Sequence, residues 1–192
     1  SVEKEYCDLL KHYAPVEEVS QALFATETAN MELLGYGSKA FILSLLENAT
    51  QVSHGKLTSA EVIAIIKMGK SLLQLPGKPL EGVVTTMEKL HRSGLYRLVV
   101  FTKGELLDQE SKFNRSGLRT YFDDFIVVSD KTPKAYERLC EQFGIGIEEL
   151  LMVGNSFKSD VEPVLKLGGW AVYIPFHTIW QHEVVDEYEH PH

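Results

Sequence analysis

The segment richest in chemistry is Gly154-Asn155-Ser156-Phe157-Lys158-Ser159-Asp160, entered through the apolar run Leu150-Leu151-Met152-Val153. A strand that stops at a glycine, a small polar cluster and then a carboxylate form a strand-to-helix handover. In open α/β sheets ligands bind at that place, outside the carboxyl ends of the strands. Asp160 in the first turn of the following segment can hold a hard cation such as Mg²⁺, which takes one or two carboxylates together with water and substrate phosphate. Asn155 adds a neutral oxygen, and Ser156 can orient Asp160 or the loop. Asp160 taken alone reads equally as a helix cap.

Two further junctions offer compatible groups. Thr102, Lys103 and Gly104 follow the strand-like Leu98-Val99-Val100-Phe101, where a threonine hydroxyl and backbone N–H groups at a helix start make an anion cradle. The same residues also read as an ordinary helix cap. In Val128-Ser129-Asp130-Lys131-Thr132-Pro133-Lys134, Thr132 reads as the N-cap and Pro133 as the first helical residue. Lys131 is then held at a strand end, where an ammonium can neutralise a phosphate. Lys134 is close enough to compete for that role.

These junctions need elements to hold them. Residues 1–75 contain no convincing strand. Helices are expected over 2–14, from Pro15 onward, after Gly35-Tyr36-Gly37 with Ser38 as cap, and after Thr58-Ser59-Ala60-Glu61, which has the form of a capping box. Gly35, Tyr36 and Phe41 read as turn and core, with a place facing a ligand cleft as the alternative. Leu75-Pro76-Gly77-Lys78-Pro79 reads as a hinge over residues 76–79. Over 80–182, helices at 80–92, 106–114, 133–143 and 161–167 alternate with strands at 95–101, 125–128, 150–153 and 170–174. In the first of those helices Val83, Val84, Met87 and Leu90 share a face. Near-continuous apolar strands joined by helices predict a parallel sheet covered on both faces. Residues 183–192 are polar and expected to fray. His177 and Trp180 read as structural or surface residues, and His182, His190 and His192 carry no role.

The bulk properties remove several function classes. The chain has 192 residues, 44% apolar and 24% charged, enough for a packed core. A net charge of −8 argues against nucleic-acid binding, which needs a basic stripe. Cys7 and Cys140 lie far apart without metal-type spacing, so two reduced thiols are expected. No apolar run reaches the roughly 18 residues that span a bilayer, and no signal peptide is expected. A cytoplasmic protein without membrane contact is expected, and its oligomeric state is open.

The order Thr102, then Lys131, then Gly154-Asn155-Ser156-Phe157-Lys158-Ser159-Asp160 resembles the haloacid dehalogenase superfamily of phosphatases and related hydrolases. Residues 76–175 are similar to that family's core, and residues 1–75 to the helical cap of one of its branches. The resemblance implies a Rossmann-like parallel sheet with an inserted helical cap. It also implies hydrolysis of a small phosphorylated metabolite through an aspartyl-phosphate. Thr102, Lys103, Gly104 and Lys131 would bind phosphate, with Thr102 and Lys131 catalytic. Asp160 and Asn155 would position Mg²⁺, and Ser156 would support them. The sequence departs from the family twice. It has no D-x-D motif, whose first aspartate is the nucleophile, and it opens inside the cap-like region, so these residues are expected to be a piece of a longer chain. Asn155 stands where an aspartate is usual, which weakens Mg²⁺ binding. Two alternatives accompany the phosphatase: a 2-haloacid dehalogenase-like carbon–halogen hydrolase and a non-catalytic binding module on the same scaffold.

Overall fold

A computed structural model describes residues 2–75, 77–176, 184–186, 188, 190 and 191. The expectations for His177, Trp180, His182 and His192, and for Pro76 in the hinge, lie outside the described residues. The chain divides into two compact units, Ser1–Ser129 and Asp130–His192.

The first unit opens with four helices, α1 (Val2–Leu10), α2 (Val16–Leu34), α3 (Ser38–Val52) and α4 (Ser59–Leu73). Tyr6, Leu10, Val19, Leu23, Leu45 and Ile65 bury their side chains together between them, and Phe41 packs against this cluster as a core residue. The Tyr6 hydroxyl enters that apolar interior and must find an acceptor there. It donates to the Leu45 carbonyl at 2.9 Å and to Asn48 Oδ1 at 2.6 Å. The capping box at α4 forms, with the Glu61 N–H donating to Thr58 Oγ1 and the Thr58 N–H to Glu61 Oε2. Gly37 occupies the N-cap position of α3 that Ser38 was expected to fill, which leaves the Ser38 hydroxyl available to a side chain elsewhere.

The same unit continues through α5 (Val83–Ser93), β1 (Val99–Lys103), α6 (Leu106–Ser116) and β2 (Asp124–Val128). β1 and β2 pair in parallel with Val99 opposite Asp124 and Lys103 opposite Val128. The strand expected over 95–101 begins later, because the Leu98 N–H is taken by the Asp123 carboxylate at 2.7 Å and the ladder starts only where β2 starts. Phe113 of α6 stacks on Phe125 of β2 with ring centroids 5.0 Å apart. The expected apolar face of α5 is only partly covered. Val83, Met87 and Leu90 are half-buried and Val84 is exposed.

The second unit contains α7 (Pro133–Phe143), β3 (Leu151–Gly154), a π-helical turn (Phe157–Val161), α8 (Glu162–Lys166) and β4 (Trp170–Tyr173). β3 and β4 pair in parallel, Leu151 opposite Trp170 and Gly154 opposite Tyr173. Helix α7 starts as expected, with Pro133 first and the Thr132 hydroxyl accepting from the Ala135 N–H. It ends at Gly144 in the left-handed region that glycine adopts without penalty. Phe157, Val161 and Leu165 form a small core with Ala171, Tyr173 and Val185. Tyr188 also meets the Phe157 ring edge-on, with centroids 4.9 Å apart.

The fold is mixed α/β with parallel strands, as expected, and among the described residues the strands pair as β1-β2 and β3-β4. Among the described residues the expected cover on both faces is incomplete. Leu151, Val153, Trp170 and Val172 lie on one face of β3-β4 and are exposed. Cys7 and Cys140 are buried free thiols, and burial, the dominant cause, raises the pKa of each. Among the described residues no helix is long and apolar enough to cross a membrane.

Candidate functional site

At the end of β1, Thr102 is half-buried and its hydroxyl donates to Gln109 Oε1 of α6 at 3.0 Å. Gly104, with φ +133°, gives that side chain its room. A Cβ built on it would stand 3.0 Å from Gln109 Nε2. The Gly104 N–H, expected to help cradle an anion, donates instead to the Val128 carbonyl at 3.0 Å. Lys103 turns its ammonium over the Tyr36 ring, 4.1 Å from the centroid, a favourable cation–π arrangement.

Residues 36–39 meet this turn through more than that contact. The Ser38 hydroxyl donates to Asp108 Oδ2 at 2.9 Å, and Lys39 pairs with Glu105 at 2.6 Å. Lys112, one turn along α6, also reaches Asp108 Oδ2 at 3.3 Å. Sequence reasoning assigned Tyr36 to a turn and passed over Gln109 and Asp108. Nothing in the local pattern of α6 marks those two, since both are ordinary polar positions on an amphipathic helix.

In the second unit Lys131 extends from the turn before α7, and its ammonium lies 2.5 Å from Asp160 Oδ1. The two side chains are only 11% and 7% exposed. The other carboxylate oxygen, Oδ2, accepts the Ser156 N–H at 2.9 Å. Lys134, the competing lysine, is exposed. Ser156 also caps the π-helical turn, its hydroxyl accepting the Ser159 N–H at 3.1 Å. Asn155 is exposed at the end of β3.

The carboxylate lies flush against Gly154. A Cβ there would fall 2.2 Å from Asp160 Oδ2 and 2.5 Å from its Cβ, so no other residue fits without moving the turn. The helix expected over 161–167 begins instead as a π-helical turn, a feature that often marks functional sites. Pro163 lacks the N–H that would close an α-helical bond onto the Ser159 carbonyl. The buried Tyr136 of α7 reaches that carbonyl, its hydroxyl donating at 2.8 Å. Burial first, and then the Asp160 charge, push the Tyr136 pKa upward, so the group stays a donor. Tyr136 too was missed by the sequence, because a tyrosine on the apolar face of a helix reads as core.

This donor set fits Mg²⁺ in part. It supplies one carboxylate, already bonded by an ammonium, and one amide oxygen, against the one or two carboxylates that Mg²⁺ commonly takes. Among the described residues no group of three or more His, Cys, Asp or Glu could hold a metal by itself.

Residues 4–168 match the family model of the haloacid dehalogenase-like hydrolases. The chain is 35% identical to a haloacid dehalogenase-like family hydrolase from Xanthomonas campestris, covering 91% of this chain and 72% of that one with a TM-score of 0.84. A dehalogenase solved with an intermediate complex shares the fold at 17% identity, covering 86% of this chain and 75% of that one, with a TM-score of 0.59. A predicted phosphoglycolate phosphatase from Haemophilus somnus 129pt shares it at 18% identity, covering 91% and 81%, with a TM-score of 0.54. No curated protein matches the chain.

Proposed function

Because the chain belongs to the haloacid dehalogenase-like hydrolases, we propose that it serves the hydrolysis of a phosphomonoester of a small metabolite through an aspartyl-phosphate. The observation that carries this reading is the buried Lys131–Asp160 pair beside the carboxyl end of β3. Burial strengthens a charge's effect on a bound anion, because little water screens it. In this reading Lys131 offsets charge on the phosphoryl group, and Asp160 holds the lysine in place. Thr102 exchanges its bond to Gln109 for one to a phosphoryl oxygen, and Lys103 and Gly104 flank that oxygen. Ser156 fixes Asp160 through its N–H. No residue of this sequence is assigned the nucleophile's role.

Asp160 and Asn155 would hold Mg²⁺, with water and substrate oxygens completing its shell. A bound Mg²⁺ supplies positive charge against the phosphate. Residues 1–75 act as the cap and 76–79 as its hinge. The contacts of Tyr36, Ser38 and Lys39 with the turn after Thr102 support that assignment.

The test is hydrolysis of p-nitrophenyl phosphate with Mg²⁺ by the protein expressed from its full reading frame. Asp160→Ala is expected to lose most of the rate. A rate indifferent both to chelator and to Asp160→Ala would overturn the reading. Asn155 favours one second reading, carbon–halogen hydrolysis, because that chemistry tolerates the lost charge at the metal corner. Halide release from a 2-haloacid without added metal would select it. A folded protein inactive in both assays would point instead to a binding module.

A further inference from the structure

We propose that Tyr136 is a positioning residue for the Lys131–Asp160 pair, holding the π-helical turn that presents Asp160 through its bond to the Ser159 carbonyl. The proposal rests on the reading of that pair as the reactive corner.

The chemistry of the turn creates the need. An ordinary α-helix would satisfy the Ser159 carbonyl with the N–H of residue 163. Pro163 has none, and Pro163 itself is buried at the start of α8. A buried carbonyl deprived of its helical donor draws another polar group towards it. Tyr136, fully buried on α7, is placed to donate there at 2.8 Å.

The placement couples two contacts. Lys131 and Tyr136 flank the start of α7, and they land on adjacent residues of the turn, Lys131 on Asp160 and Tyr136 on Ser159. One end of α7 thus grips the turn by both a charge and a neutral hydrogen bond. Asp160 has little freedom left, with Gly154 against its carboxylate and Ser156 on Oδ2. Loss of the tyrosine hydroxyl releases its hold on the carbonyl end of the Ser159–Asp160 peptide, whose N–H stays on the Ser156 carbonyl at 2.7 Å, and the resulting tilt lengthens the Lys131–Asp160 contact without removing either charge.

Tyr136→Phe keeps the ring and deletes the hydroxyl. Tyr6→Phe is the control, because Tyr6 is equally buried and its hydroxyl donates to a carbonyl in the helical bundle. Both variants are expected to lose thermal stability, Tyr6→Phe at least as much as Tyr136→Phe because its hydroxyl also meets Asn48 Oδ1 at 2.6 Å. Only Tyr136→Phe is expected to raise the rate of Lys131 acetylation by acetic anhydride several-fold, read by peptide mass spectrometry against the other lysines. It is also expected to lower kcat towards p-nitrophenyl phosphate about tenfold, a barrier increase of roughly 1.4 kcal/mol, with KM within about twofold. Lys131 labelling unchanged from wild type in a destabilised but folded Tyr136→Phe would overturn the proposal and leave Tyr136 a core residue. Should Tyr136→Phe not fold, Tyr136→Met fills a similar volume and carries the same labelling test. Absence of hydrolysis by the wild-type protein would defeat the proposed function only, since the labelling comparison reads the pair directly.

Discussion

The Lys131–Asp160 pair allows a double-mutant cycle whose outcome follows from burial and distance. At 2.5 Å and an effective dielectric of about 20, the two charges attract by roughly 7 kcal/mol. Desolvation of both groups cancels most of that. Lys131→Met removes the ammonium and leaves Asp160, its side chain 7% exposed, with the Ser156 N–H as the remaining bond described for its carboxylate. An uncompensated buried charge of this kind costs about 3–5 kcal/mol. Lys131→Met/Asp160→Asn removes both charges, keeps an oxygen that can accept the Ser156 N–H, and is expected within about 1–2 kcal/mol of wild type. The double variant is therefore expected to be about 2–3 kcal/mol more stable than Lys131→Met alone. Urea denaturation followed by tryptophan fluorescence suits the measurement, because Trp170 lies on β4 of the second unit. With an m-value near 2 kcal/mol/M, Lys131→Met lowers the midpoint by about 1.5–2.5 M and the double variant restores most of it. A double variant no more stable than Lys131→Met alone would mean that the pair is not the buried, mutually compensating unit described, and the reasoning fails.

Gly154→Ala places a Cβ 2.2 Å from Asp160 Oδ2 and is expected to cost about 2–3 kcal/mol by overpacking; a cost under about 0.5 kcal/mol in urea denaturation would contradict that close approach. Burial, and secondarily Glu3, raise the Glu27 carboxyl from its ordinary 4.5 to about 7, so its stabilising contribution is complete below pH 4.5 and is lost as pH rises through 7. Glu27→Gln is therefore expected to match wild type near pH 4.5 and to exceed it by about 1–2 kcal/mol at pH 8, reduced from the full linkage value because the carboxyl is partly exposed; melting curves at the two pH values with the same difference would refute it. Thr58→Ala breaks the capping box of α4 and is expected to cost about 1 kcal/mol, seen as a lower melting temperature by circular dichroism at 222 nm; an unchanged melting temperature would refute it.

The elements legible in the sequence are those whose signals close within a turn or two. Thr58 and Glu61 cap α4, Thr132 and Pro133 start α7, and Gly94 and Gly144 end helices in the left-handed region, because each interaction joins residues three or four apart. The strand-to-helix junctions at Thr102, Lys131 and Gly154 were legible for the same reason, being changes of periodicity at glycine or a cap. What only the tertiary structure decided involves partners far apart in the chain. Lys131 rather than Lys134 meets Asp160 across 29 residues, and Tyr136 meets Ser159 across 23. β1 starts at Val99 because its partner strand and the Asp123 carboxylate lie some 25 residues on. The π-helical turn depends on both ranges. Pro163 forbids the regular bond locally, but the group that satisfies the carbonyl comes from α7. Residue types thus named the chemistry available to this protein, whereas desolvation and the geometry of distant contacts chose which side chains share a site, since a charge or hydroxyl is directed only once burial has removed water as its alternative partner.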